Sequence, residues 1–174
     1  RKAKSDIGVL MTQHITLYGK TLLVELSSAA QRALQERVTP MLHHKGIYPE
    51  HLAVNTTDSR ARSMWYRNNL GFVTIRDATV APFAIFSYDA GKHLMFEVYQ
   101  FPQYPIVDFQ RLNPFSMHVA FATNNVAGAK DGLTKGGASF VEFHNTVQGD
   151  SVLVLRDPWG MPIHIVKRVK PMLQ

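Results

Sequence analysis

Four residues able to bind a metal recur at matched spacing. His51 and Glu97 lie 46 residues apart, as do His118 and His164, and the second pair follows the first at an offset of 67. Three imidazoles and one carboxylate suit zinc, iron, nickel, cobalt or manganese, whereas calcium and magnesium prefer shells rich in oxygen. Such a shell is either a closed structural site or, with coordination expanded to five or six, an open one that takes water and substrate oxygens. Glu97 stands inside the apolar run Leu94–Tyr99. An unpaired carboxylate is costly to bury there, and a metal or an imidazolium removes that cost. The residues alone leave a plainer alternative open: Glu97 pairs with a His or an Arg, and each His is an ordinary polar residue of a sheet.

The elements that must position these groups follow from periodicity. His51 to Asn55 alternates like a strand, with His51, Ala53 and Asn55 on one face and Leu52 and Val54 on the other. In the second copy His118, Ala120 and Ala122 share a face opposite Met117, Val119 and Phe121. The small neighbours of each His predict an open sheet face there. Asp58 predicts an N-cap for a helix over Ser59 to Asn69, ending at Leu70-Gly71, and strands follow at Phe72 to Arg76, Phe83 to Ser87 and Leu94 to Tyr99. The same order returns later: a strand at Met117 to Ala122, a helix capped by Asn125 and closed at Gly136-Gly137, then strands at Ser139 to Phe143, Val152 to Leu155 and Ile163 to Lys167. Asp58 and Asn125 are themselves offset by 67. Repetition of strand, helix and three strands in one register marks a duplicated architecture.

The organisation is therefore an α+β fold of two tandem βαβββ modules, residues 50–100 and 116–168. A proline-bearing linker at 101–115 joins them, and a short tail follows at 169–174. Residues 1–49 stand outside the repeat as an N-terminal extension. Its runs His14 to Tyr18 and Thr21 to Leu26 predict a hairpin turning at Gly19-Lys20. Ser27 or Ser28 then predicts a helix along Ala30, Leu34, Val38, Met41 and Leu42, ending or kinking at Pro40. The adjacent His43-His44 pair suits a helix end better than chelation, because neighbouring helical residues do not face each other.

Composition narrows the function. Hydrophobic residues make up 45% of 174 residues, enough for a substantial core. No run approaches the roughly 18 apolar residues of a membrane span, and the first residues lack a signal peptide's apolar core, so a cytoplasmic protein without membrane partners is expected. The chain has no cysteine, which excludes disulfides, thiolate catalysis and Cys-ligated zinc. The net charge of +6 is scattered apart from the two ends of the chain, and no recognition motif accompanies it, which argues against nucleic acid. Nucleophile elbows, P-loops and dinucleotide glycine patterns are absent, so serine-type hydrolysis, phosphoryl transfer and Rossmann-type hydride transfer lack support. His93 and His144 read as ordinary surface histidines. Tyr99 and Trp159 are the aromatic candidates for contact with a small-molecule substrate, with Arg156 beside them, while Trp65 and Phe72 read as core.

With those residues placed, the chain from about Glu50 to Arg168 resembles the vicinal oxygen chelate superfamily, which includes glyoxalase I, methylmalonyl-CoA epimerase, extradiol dioxygenases and the fosfomycin and bleomycin resistance proteins. The resemblance is carried by His51-Leu-Ala-Val-Asn-Thr-Thr-Asp58, Trp65-Tyr66-Arg-Asn-Asn-Leu70-Gly71-Phe72 and Phe96-Glu97-Val98. In the second copy it is carried by His118-Val-Ala-Phe and Asp157-Pro158-Trp159-Gly160-Met-Pro-Ile163-His164-Ile165. It implies curved mixed sheets that form a cleft, and a divalent metal held by His51, Glu97, His118 and His164. It further implies a metal-dependent enzyme of the glyoxalase or dioxygenase type acting on a small oxygenated molecule, with Glu97 as the catalytic acid-base group. The alternative within the resemblance is a metal-free binding protein of the bleomycin-resistance type, and a homodimer is compatible with both. One position departs from the pattern. The last ligand is usually Glu, and here it is His164, which leaves Glu97 as the only acid among the four.

Overall fold

Side-chain capping and a left-handed glycine set the limits of the first helix. A computed structural model describes residues 11–17, 20–26 and 49–172. In it, helix α1 (Ser59–Leu70) begins where the Asp58 carboxylate accepts the Ala61 amide at 2.9 Å, and it ends at Gly71 with φ of 70°. The Gly71 amide donates to the Arg67 carbonyl and the Phe72 amide to that of Tyr66, which closes the last turn. Helix α2 (Val126–Lys135) repeats the device: the Asn125 side chain accepts from the Gly128 amide at 2.9 Å.

Two units divide the chain, Arg1–Pro49 and Glu50–Gln174. In the first, strands β1 (Met11–Leu17) and β2 (Lys20–Leu26) pair antiparallel, with Leu17 opposite Lys20. Lys20 is thus a strand residue rather than half of the turn, since cross-strand pairing continues to it. The connection falls on residues 18–19, which lie outside the described residues, as do the expected helix after Ser27 and the His43-His44 pair.

The second unit holds β3 (Leu52–Asn55), α1, β4 (Val73–Asp77), β5 (Ile85–Tyr88) and β6 (Met95–Tyr99). After these come β7 (Val119–Ala122), α2, β8 (Ser139–Asn145), β9 (Ser151–Arg156) and β10 (Pro162–Lys167). They form two four-stranded sheets of the same plan, ordered β3-β6-β5-β4 and β7-β10-β9-β8. Within each, the first and last strands of the module lie side by side and parallel, and the remaining pairs are antiparallel. Both outer strands carry an irregularity at equivalent places, between Thr74 and Arg76 and between Phe140 and Glu142. The fold is therefore α+β with two mixed sheets and one helix per module.

One apolar core serves both modules. Tyr66, Phe72 and Phe96 stack edge to face or tilted with centroids 5.0–5.5 Å apart, and Leu133, Leu153, Leu155 and Ile163 of the second module belong to the same cluster. Trp65 and Phe72 are buried at 8% and 2% exposure, as expected of core residues. Among the described residues, no helix is long and apolar enough to cross a membrane.

Candidate functional site

Topology explains why each candidate pair meets. Because β3 lies parallel to β6 with Ala53 opposite Glu97, the residue just before the strand, His51, reaches Glu97 across one interstrand gap. The His51 Nε2 lies 3.1 Å from Glu97 Oε2, and Glu97 is only 19% exposed. On its other side the His51 ring contacts the Glu50 carboxylate through Nδ1. Between Nε2 and Oε2 stands either a ring proton, which makes an ion pair, or a cation bound by both atoms. Metal bonds of about 2.0–2.2 Å place neighbouring ligand atoms roughly 2.9–3.4 Å apart, so the observed separation fits one edge of a coordination shell.

The second pair forms by the same logic, with β7 parallel to β10 and Ala120 opposite His164. The His118 and His164 rings stack at 3.6 Å between centroids and 8° between planes. The His118 Nδ1–H donates to the Pro114 carbonyl at 3.0 Å, a contact that sets its tautomer and frees Nε2 as a ligand. His164 is buried at 4% exposure, and its Nε2 has no hydrogen-bond partner among the described residues. Burial, then the neighbouring His118, pushes the His164 imidazole down to about 4, so it stands as a neutral donor. An orphaned, neutral, buried nitrogen has the chemistry of a metal ligand. The stacking opposes it in one respect, because imidazole lone pairs lie in the ring planes and parallel planes do not converge on one ion. Exposed His118 is the ring positioned to turn.

The four residues thus come together as two pairs. Among the described residues no group of three or more His, Asp or Glu side chains is arranged to hold a metal ion. On β7 the face of His118, Ala120 and Ala122 is exposed, as expected, while beside it on β9 and β10 Val152, Val154 and Val166 form a separate buried cluster in register with His164.

Of the aromatic candidates, Tyr99 lines a cavity of about 300 Å³ along β3. Trp159 lies in the β9–β10 turn, half-buried against the shared core, with the Arg62 guanidinium 5.4 Å from its ring. Arg156 is engaged elsewhere: it donates to the carbonyls of Phe109, Leu112 and Gly160 at 2.6–2.9 Å and so secures the linker. His93 is exposed, 3.6 Å from Asp89.

Sequence reading set His144 aside as ordinary and did not single out Arg76 or Phe115. Arg76 lies 5.7 Å from the Phe86 ring centroid, and Phe86 stands opposite Glu97 in the sheet. His144 contacts Glu142 at 3.1 Å, and the Phe115 ring lies between His144 and His164 at 6.2 and 5.6 Å. The ladders of consecutive strands, β4 with β5 and β8 with β9, carry Arg76 and His144 toward the site, and the matched irregularities at Arg76 and Glu142 echo the repeat.

Comparisons with known proteins agree with this fold. The family model described as "Glyoxalase/Bleomycin resistance protein/Dioxygenase superfamily" matches residues 49–165. The fosfomycin resistance protein FosX of Listeria monocytogenes is similar in structure, with a TM-score of 0.56 and 14% identity over 71% of this chain and 94% of that one. A superfamily member from Sphaerobacter thermophilus gives 0.53 and 16% over 70% and 98%. A family enzyme from Burkholderia phytofirmans gives 0.53 and 20% over 67% and 95%. No curated protein matches the chain. At these identities the likeness speaks for the fold, while the family model spans most of the chain, and the protein belongs to the glyoxalase/bleomycin resistance protein/dioxygenase superfamily.

Proposed function

We propose that this protein is a metal-dependent enzyme acting on a small molecule with two neighbouring oxygens. His51, Glu97, His118 and His164 hold one divalent zinc, iron, nickel, cobalt or manganese ion. The observation that carries the reading is the 3.1 Å approach of His51 Nε2 to Glu97 Oε2. The orphaned Nε2 of buried His164 at the equivalent place in the repeat supports it. When bound, the metal supplies Lewis acidity toward substrate oxygens. The protein's own part falls to Glu97, the only acid among the four, which accepts a proton from the substrate carbon and returns it at a neighbouring position, as in glyoxalase-type isomerisation. His51 orients that carboxylate. Ring-cleaving oxygenation draws on the same residues with iron, in the two-His, one-carboxylate manner.

Because the ligands form two pairs, the shell closes between two copies of the chain, the first module of one facing the second module of the other. A homodimer is then part of the site.

Elemental analysis of protein purified without chelator tests the reading. Near-stoichiometric metal that is lost in both His51→Ala and Glu97→Ala supports it, whereas protein that neither carries nor takes up metal overturns it. The parallel stacking of His118 on His164 favours a second reading in that event, a binding protein that takes its small molecule without metal.

A further inference from the structure

In the first module one rung of the sheet crosses Ala53 of β3, Glu97 of β6 and Phe86 of β5. Among the described residues β3 pairs with β6 alone, so the sheet stops beyond Ala53. A cavity of about 300 Å³ runs along that free edge, walled by Ala53, Tyr99, Tyr104, Val107, Phe109 and Met117 among others. Ala53 of its lining stands one interstrand spacing, about 5 Å, from Glu97. We propose that this cavity is a subsite for the apolar substituent of the substrate, a phenyl ring or branched alkyl group attached beside the oxygen pair held at His51 and Glu97. The identity of the neighbouring site rests on the metal reading above; the cavity's own affinity for an apolar group does not.

Three features make it a built subsite. Its outer wall is fixed by Asn55, whose Nδ2 donates to the Phe101 and Tyr104 carbonyls at 3.1 Å and whose Oδ1 accepts the Phe101 amide at 2.9 Å. The lining is apolar yet open, with Tyr104 at 62%, Val107 at 58% and Met117 at 43% exposure, so a ligand covers surface that water now wets. On the remaining side, among the described residues, no backbone bond reaches β3 from its free edge, which leaves a few amides and carbonyls to orient a ligand. Apolar walls with a few fixed polar groups, at the small end of the usual size range, are what a small-molecule site requires.

The repeat gives an independent indication. Ala120, at the offset of 67 from Ala53, stands opposite His164 and borders a second cavity, of about 530 Å³. A small residue at this rung position thus borders space beside both ligand pairs, and a larger side chain at Ala53 would fill part of the first cavity.

The test uses the full chain. Phenol, followed through the Met117 methyl signal by NMR, reads occupancy of the cavity without any metal. It is expected to shift that signal saturably in wild type, not at all in Ala53→Leu, and more weakly in Tyr104→Ala, whose outer-wall ring is largely exposed. Acetohydroxamate and benzohydroxamate then read the cavity together with the metal site, since both present neighbouring oxygens and differ only in methyl against phenyl. Metal-loaded wild type is expected to bind the phenyl compound on the order of 10- to 100-fold more tightly. Ala53→Leu abolishes that advantage and leaves acetohydroxamate unchanged. Equal affinity for the two hydroxamates in wild type, or no phenol shift, overturns the subsite. A Met117 shift that follows protein concentration instead of phenol also overturns it, because a second copy then fills the groove. A phenol shift with neither hydroxamate bound leaves the cavity as an apolar site and overturns the metal reading instead.

Discussion

Arg62 on α1 and Asp157 in the β9–β10 turn form an ion pair at 2.8 Å, with side chains only 1% and 0% exposed. The partners are 95 residues apart and belong to different modules. Asp157 also accepts from Tyr66 Oη at 3.0 Å and from the amides of Trp159 and Met161. Burial, reinforced by the Asp157 charge, pushes the Tyr66 hydroxyl above its ordinary range, so it stays a donor. The two halves of the repeat are thus joined by polar contacts within their shared core.

Removing one partner leaves the other charge buried alone. Asp157→Ala is expected to lower the unfolding free energy by about 3–5 kcal/mol, because Arg62 then lacks its counter-ion and Nε is already without a hydrogen-bond partner. Replacing both, as in Arg62→Met with Asp157→Leu, is expected to cost less than the single change. Urea unfolding of the three proteins decides the point: a double variant weaker than Asp157→Ala would show that the pair is net stabilising beyond its desolvation.

His164 makes the metal-free protein acid-sensitive. Its folded-state value is lowered to about 4 by burial and by His118, so the neutral ring is favoured in the native state. The stability this provides is complete above the ordinary value of about 6.5 and is lost as pH falls from there toward 4, roughly 3 kcal/mol in all. Urea midpoints of chelator-treated protein are expected to decline across that window, and His164→Gln to flatten the decline. An equally steep decline in the variant would assign it to other groups.

Helix limits were legible because their signals are local. The Asp58 cap, the Asn125 cap and Gly71 act within three or four residues of themselves, and both helices begin where those residues predict. Strand limits were less so. His51, Phe72, Leu94, Met117 and His118 read as strand from alternation, yet the ladders begin one or two residues later, where a partner strand starts: Leu52 opposite Phe96, and Val119 opposite Ile163. The two candidate pairs were legible from spacing alone, since a repeat copies register. Arg62 was not, because a charged residue at a helical position reads as solvated until its acid, far away in sequence, is found beneath it. His144 and Arg76 were hidden for a different reason: each follows an irregularity in its strand, past which alternation alone no longer tells the face.

Gly71 tests the local part of that account. With φ at +70° and nothing within 4 Å of where a Cβ would stand, a side chain there meets conformational strain and no clash. Gly71→Ala is therefore expected to cost about 1 kcal/mol and Gly71→Asn less, because asparagine tolerates the left-handed region. Thermal unfolding of both variants measures the difference. Equal losses would mean that contact rather than backbone conformation fixes the residue.

The proposed closure of the metal shell between two copies has a consequence that no single variant reveals. If the first module of one chain faces the second module of its partner, a twofold dimer contains two sites, each drawing one pair of ligands from each copy. A dimer of His51→Ala with His118→Ala then gathers both lesions in one site and leaves the other intact. Each variant alone is expected to bind no metal. After mixing under conditions that allow subunit exchange, half the dimers are mixed and each has one whole site, so bound metal should recover to about a quarter of the wild-type amount. Sites closed within a single chain would keep one lesion each in every dimer, and mixing would restore nothing. Metal content of the exchanged mixture, alongside its mass in solution, separates the two arrangements.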